Sequence, residues 1–189
     1  AYAENIENPT VLARAIEHIA TKHVSLEIQP EQYPIVGENL LHSISEVLNV
    51  PFESELIAAW KAAYLQLADI LINAEKTKYD GLVAQNGGWA GWRNFNITQI
   101  EQADAGQVFV LQAADEHAVL AAEAGQFISV KVKVPNHNLE QPHQFVVVSG
   151  LDGQYQFMVK GEENRTEYSV ANILLEHYKV GDQVKVTAP

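Results

Sequence analysis

Three polar residues sit where helical periodicity calls for apolar ones, and their types could together bind a metal. At 100° per residue, Leu12, Ile16, Ile19 and His23 fall within a sector of about 60°, so His23 continues an apolar stripe. Tyr33 shares a face with Gly37, Leu40, Ile44 and Val47, and Glu75 with Ile57, Tyr64, Ala68 and Leu71. A buried glutamate needs a partner, and His23 and Tyr33 are the candidates. An imidazole with one nitrogen on a metal donates its other N–H to a carboxylate or similar acceptor, which makes the ring more electron-rich. Taken singly, His23 and Tyr33 also fit plain core packing, and Glu75 could reach water from its helix end; only their coincidence points to ligation. The other six histidines show no pairing at i, i+3 or i+4, and no H-E-x-x-H occurs.

The elements that must position these residues are helices. Asn8-Pro9 reads as a helix start, with Asn8 as N-cap, and the helix runs to about His23. A second begins near Pro30-Glu31 and runs to about Asn49, with Pro34 tolerated in its first turn. A third is expected over 53–79. Asp80-Gly81 and the glycine-rich Gln85-Asn86-Gly87-Gly88-Trp89-Ala90-Gly91 then read as a boundary. Beyond it, strands are expected over 94–101, 108–112, 126–134, 144–149, 154–160 and 183–187, with one helix over 169–177. Val130-Lys131-Val132-Lys133-Val134 alternates strictly, and Asp152-Gly153 marks a hairpin turn. The expected class is multi-domain, α then β: residues 1–80 a helical domain, 81–93 a linker, and 94–189 a small antiparallel barrel.

Composition narrows the function classes. The 189 residues are 47% hydrophobic and 19% charged, which excludes a disordered chain. The apolar runs are too short to span a bilayer. With no cysteine there is no disulfide partner, iron–sulfur cluster or thiol chemistry. A net charge of −12 disfavours a nucleic-acid partner. No signal-peptide pattern opens the chain, and a cytoplasmic location is expected. The chain starts at Ala1 and stops at Pro189 after a strand-like run, so a piece of something longer is expected.

The segment Ile19-Ala20-Thr21-Lys22-His23-Val24-Ser25, followed by Pro30-Glu31-Gln32-Tyr33-Pro34-Ile35-Val36-Gly37, resembles the proximal side of a bacterial flavohaemoglobin. So do Ala59-Trp60-Lys61-Ala62-Ala63-Tyr64, Ile72-Asn73-Ala74-Glu75 and the junction Gly87-Gly88-Trp89-Ala90-Gly91-Trp92-Arg93. The resemblance implies the C-terminal part of a globin fold, three helices long, then an FAD-binding barrel of the ferredoxin-reductase kind. It implies a nitric oxide dioxygenase that converts nitric oxide to nitrate with oxygen at haem b, using electrons from NAD(P)H through FAD. His23 matches the iron ligand, Tyr33 and Glu75 the pair that hydrogen-bonds around it, and Lys22 a residue beside a haem propionate. Oxygen and nitric oxide are then the small-molecule partners. An axial histidine polarised by a carboxylate favours oxygen activation over simple carriage.

The barrel departs from the same family. Ala124-Gly125-Gln126-Phe127 resembles its Pro-Gly-Gln-Tyr turn, with Phe127 in place of a flavin-contacting tyrosine. The Arg-x-Tyr-Ser flavin motif falls on His143, Gln144, Phe145 and Val146, and the pyrophosphate-contacting serine on Ala171, with Ser169 nearby. Each change removes a charge or hydrogen bond worth roughly 1–3 kcal/mol. The distal helices with their tyrosine and glutamine, and the nicotinamide domain, lie outside the region of resemblance. Three readings follow: the middle of a nitric oxide dioxygenase, a haem and oxygen-binding module whose barrel no longer holds FAD, or a fragment inactive by itself, its helices exposing apolar faces.

Overall fold

The computed structural model describes residues 5, 8–149, 153–163 and 166–189. The chain divides into two compact units: residues up to Val24 with Ile28–Lys78, and Ser25–Glu27 with Tyr79–Pro189.

The first unit is helical. A 3-10 turn (Pro9–Leu12) leads into α1 (Ala13–Ser25), a second turn (Pro30–Gln32) leads into α2 (Tyr33–Leu48), and α3 (Glu55–Val83) follows. Asn8 stands at the N-cap position ahead of Pro9, as expected, but its Oδ1 accepts the Thr10 hydroxyl rather than a backbone N–H, and the entry winds as a 3-10 turn. The helix α2 ends on Asn49, whose positive φ of 51° lets its N–H reach back to the carbonyls of Ser45 and Glu46. The helix α3 runs through Asp80-Gly81, where a break was expected; one glycine costs a helix only about 1 kcal/mol. The chain turns instead at Gly87-Gly88. Gly87 has φ +76°, and a Cβ on Gly88 would lie 1.8 Å from the Leu82 carbonyl oxygen, so only glycine fits there.

The buried line of α2 is Tyr33, Gly37 and Leu41, spaced four apart, whereas Leu40 and Val47 are exposed. Ile19 of α1 is exposed as well. The expected apolar stripes are thus wider than the strip this unit buries. Its core is small: Tyr33, Ala68 and Leu71, backed by Ile16, Ile28, Tyr64, Leu67 and Ile72.

The second unit is a closed antiparallel barrel in the order β1-β2-β5-β4-β3-β6. Its strands are β1 (Arg93–Ala103), β2 (Gly106–Ala113), β3 (Phe127–Lys133), β4 (Glu140–Ser149), β5 (Gln154–Val159) and β6 (Gln183–Val186), with α4 (Val170–His177) between the last two. The alternation over 130–134 holds, with Val130, Val132 and Val134 buried. The strand β4 begins at Glu140, four residues before the expected start, and takes in Pro142, a residue usually confined to strand edges. Proline is tolerated there because β4 meets β5 only from Val147 on, while residues 140–146 pair with β3 alone. Gly153 sits in a turn with φ +76°; its expected turn partner Asp152 lies outside the described residues.

Phe95, Phe109, Phe145, Tyr155 and Phe157 fill the barrel, and Val170, Ile173 and Leu174 of α4 pack into the same core. Ser169 caps α4 by accepting the Asn172 N–H at 3.3 Å. Phe157 is fully buried and lies 4.8 Å from Phe145 and 5.7 Å from Phe109, ring centre to ring centre. Truncation to alanine removes both contacts and leaves a cavity, so Phe157→Ala should lower stability by about 3–5 kcal/mol in urea denaturation followed by far-UV circular dichroism.

Candidate functional site

His23, Tyr33 and Glu75 come from three different helices of the first unit and converge on one oxygen atom. His23 stands in the last turn of α1, Tyr33 is the first residue of α2, and Glu75 lies in the C-terminal half of α3. His23 Nδ1 is 2.7 Å from Glu75 Oε1, and the Tyr33 hydroxyl donates to the same Oε1 at 2.5 Å. Tyr33 Oη is also 3.1 Å from His23 Nδ1. Glu75 is only 2% exposed, so its charge depends on these two donors.

The arrangement sets the tautomer. An ionised carboxylate only accepts, so the proton between His23 and Glu75 belongs to Nδ1 and the lone pair is left on Nε2. The His23 side chain is 32% exposed. In that tautomer the far nitrogen carries the lone pair, on a ring that Glu75 and Tyr33 hold in place. Among the described residues, no group of three or more histidine, cysteine, aspartate or glutamate side chains could hold a bare ion. A single imidazole suits a metal whose remaining ligands come from elsewhere, as in a macrocycle, and a haem iron fits this donor set.

A further layer escaped the sequence reading as a functional element. The Tyr64 hydroxyl donates to the Tyr33 carbonyl oxygen at 2.6 Å. Burial raises the Tyr64 phenol's pKa, partly offset by the Gly37 backbone N–H. A Cβ on Gly37 would lie 2.4 Å from the Tyr64 ring. Gly37 thus makes room for Tyr64, and Tyr64 fixes the start of α2 on which Tyr33 stands. The signal was a glycine four residues after Tyr33 on the buried face, read only as a stripe member.

The remaining expected site residues do not join this cluster. Lys22 is exposed on α1. Phe127 is partly buried at the start of β3, opposite Val146. On β4, His143 is exposed with its ring 4.8 Å from that of Phe145, and Gln144 donates to Ser25 Oγ. Phe145 is 6% exposed and packs inward with the core, while Val146 is 60% exposed and has no polar atom to offer. At α4, Ala171 is buried, the Ser169 hydroxyl accepts the Asn172 N–H, and Asn172 Oδ1 accepts the Glu162 N–H. At the positions on which the resemblance places the flavin motif, the side chains of Phe145, Val146 and Ala171 offer no hydroxyl, and none of the residues there is an arginine.

Comparison with known proteins matches residues 1–71 to the globin family model. The whole chain aligns with flavohemoproteins: it is 43% identical to that of Rhizobium meliloti and 41% identical to that of Bordetella pertussis, each over 193 aligned residues. The chain belongs to the flavohemoprotein family. It covers 100% of itself and 48% of each of these relatives, and so spans about half their length. A solved flavohemoglobin from Malassezia yamatoensis, with bound FAD and heme, superposes with a TM-score of 0.79 at 25% identity, over 94% of this chain and 44% of that one. The flavohemoprotein assignment agrees with the architecture, a globin segment followed by a six-stranded antiparallel barrel.

Gly37 offers a direct test of the supporting layer. Glycine to alanine inside a helix normally gains about 1 kcal/mol. Here the added methyl meets the rigid Tyr64 ring, so Gly37→Ala should instead destabilise by about 1–3 kcal/mol in urea titrations. In a Tyr64→Ala background the same substitution should become neutral or stabilising.

Proposed function

We propose that this chain is the proximal half-pocket and barrel of a haem-dependent nitric oxide dioxygenase, with His23 as the residue that would hold the haem iron. The observation that carries the reading is the shared Glu75 oxygen, which holds His23 by Nδ1 and leaves Nε2 to donate. A haem held there would supply oxygen binding and the oxidation of nitric oxide to nitrate. The protein's part is to set the donor strength of the ring. Glu75 draws the Nδ1 proton toward itself and gives the imidazole partial imidazolate character. Tyr33 donates to the same oxygen and withdraws some of that charge, so the pair sets an intermediate level. Lys22 is assigned to a haem propionate, in keeping with its exposed place one residue before His23. In the full-length protein, electrons are assigned to NAD(P)H, and a cytoplasmic location accords with the family. Among the described residues, no helix is long and apolar enough to cross a membrane.

One observation favours a second reading for the barrel. Phe145 faces inward and Val146 is apolar and exposed, so β4 is poorly equipped for a flavin. On this reading the protein binds haem and oxygen, and its barrel no longer carries FAD. The flavin-to-haem ratio of purified full-length protein separates the two. Near unity with NADH-dependent nitric oxide consumption supports the dioxygenase; haem with little flavin supports the binding module.

The ligand assignment has its own tests. In full-length protein reconstituted with hemin, His23→Ala should abolish the five-coordinate ferrous spectrum, and an unchanged Soret band would overturn the assignment. Glu75→Gln keeps the shape and removes the charge, so the iron–histidine stretching frequency in resonance Raman spectra should fall. An unshifted band would mean that Glu75 does not tune the ring.

A further inference from the structure

Three residues at the end of α1 belong to the barrel's compact unit. Ser25–Glu27 go with Tyr79–Pro189, although the chain up to Val24 and again from Ile28 is part of the helical unit. The turn they make closes the helix that carries His23. The Ile28 N–H reaches back to the His23 carbonyl oxygen at 3.0 Å. That bond is the mark of a Schellman motif, in which the residue just past the cap is left-handed. Here that residue is Glu27, with φ +59°. The helix α2 ends in the same way, with the Val50 N–H on the Ser45 carbonyl oxygen at 3.1 Å and Asn49 left-handed at φ +51°.

Glycine is the usual residue at such a position, and asparagine the next. Asn49 follows that rule and Glu27 breaks it. A glutamate brings a Cβ that the left-handed region penalises, and strain of this kind persists only where the surroundings over-determine it. The side chain of Glu27 is fastened at its far end. Its Oε1 accepts the Gly91 N–H at 2.7 Å. Lys131 of β3 acts on the same carboxylate, and its own Nζ lies 3.9 Å from the centre of the Trp92 ring. Burial pushes the Glu27 carboxyl's pKa up, while the Gly91 N–H and the Lys131 charge pull it down. Two residues earlier, the Oγ of buried Ser25 accepts a hydrogen bond from Gln144 of β4. Glu116 is the contrast: it has the same φ of +59°, but it is exposed.

We propose that Glu27 is a positioning residue for the iron ligand: bonded to the Gly91 N–H, it holds the closing turn of α1, and with it the backbone from which His23 presents its ring. The proposal rests on His23 as the residue that would hold the haem iron. Two constraints then act on His23, Glu75 and Tyr33 at its ring and the Glu27 turn at its carbonyl oxygen. A glycine would form the turn more readily and would leave it nothing to hold. The glutamate accepts a less favourable backbone and gains a charge-assisted hydrogen bond.

Glu27→Gly separates backbone preference from side-chain attachment, because it suits the left-handed turn better and removes the carboxylate. In the full-length protein, the Ile28 amide should exchange about tenfold faster in hydrogen–deuterium exchange read by mass spectrometry. A turn governed by backbone preference alone would exchange more slowly. In the hemin-reconstituted ferrous protein, the iron–histidine stretching band should broaden, since the ring is no longer held to one direction. Glu27→Gln keeps an oxygen for the Gly91 N–H and loses only the charge, so both of its effects should be smaller. Glu116→Gly relieves the same φ elsewhere and should change neither reading. Unchanged or slower exchange in Glu27→Gly, an equal response in Glu116→Gly, or a band that stays sharp while exchange quickens would each overturn the proposal alone. A Soret band left unchanged by His23→Ala would overturn the ligand reading, and this proposal with it.

Discussion

One carboxylate oxygen sets the geometry of the helical unit. Glu75 is almost wholly buried on α3, and an ionised carboxylate in an apolar setting is stable only if its lone pairs are taken up. Both donors arrive from other helices, Tyr33 from α2 and His23 from α1. Removing either leaves a buried carboxylate short of a hydrogen-bond donor, a change that typically costs about 1–3 kcal/mol. The same contact that stabilises the junction also orients the His23 imidazole. Tyr64 and Gly37 stand behind it, the one fixing the start of α2 and the other admitting the ring that does so.

The two units resist change to different degrees. The barrel is closed, with aromatic rings filling its centre and a helix in the same core, so its interior tolerates little substitution. The resemblance places its flavin motif on β4, where Phe145 packs into this core while His143 and Val146 stand exposed. The helical unit, by contrast, buries a thin strip and leaves Ile35, Val36, Val47, Leu56 and Leu65 exposed.

The barrel's exterior repeats a theme of the helical unit in another form. In both places a charge is held where elementary rules disfavour it. At Glu75 the neighbours satisfy it completely. On the barrel, Lys131 faces Lys185 across β3 and β6, and Lys185 turns to Glu140, donating to both of its oxygens at 2.8 and 2.9 Å.

The sequence by itself determined that helices precede strands, that the 130–134 segment alternates, and that a histidine, a tyrosine and a glutamate lie on apolar faces. These follow from periodicity, which is local: a residue's direction is set by its position along its own helix or strand. Only the tertiary structure decided that the three side chains meet at a single oxygen, since that depends on how α1, α2 and α3 are offset, and no one-dimensional pattern encodes it. The same holds for Tyr64 against Gly37, for a proline accepted in β4 because its other edge is unpaired, and for Lys131 opposite Lys185. Which apolar residues of α2 are buried was likewise beyond reach, because a stripe records what can be buried, and the partner helix decides what is.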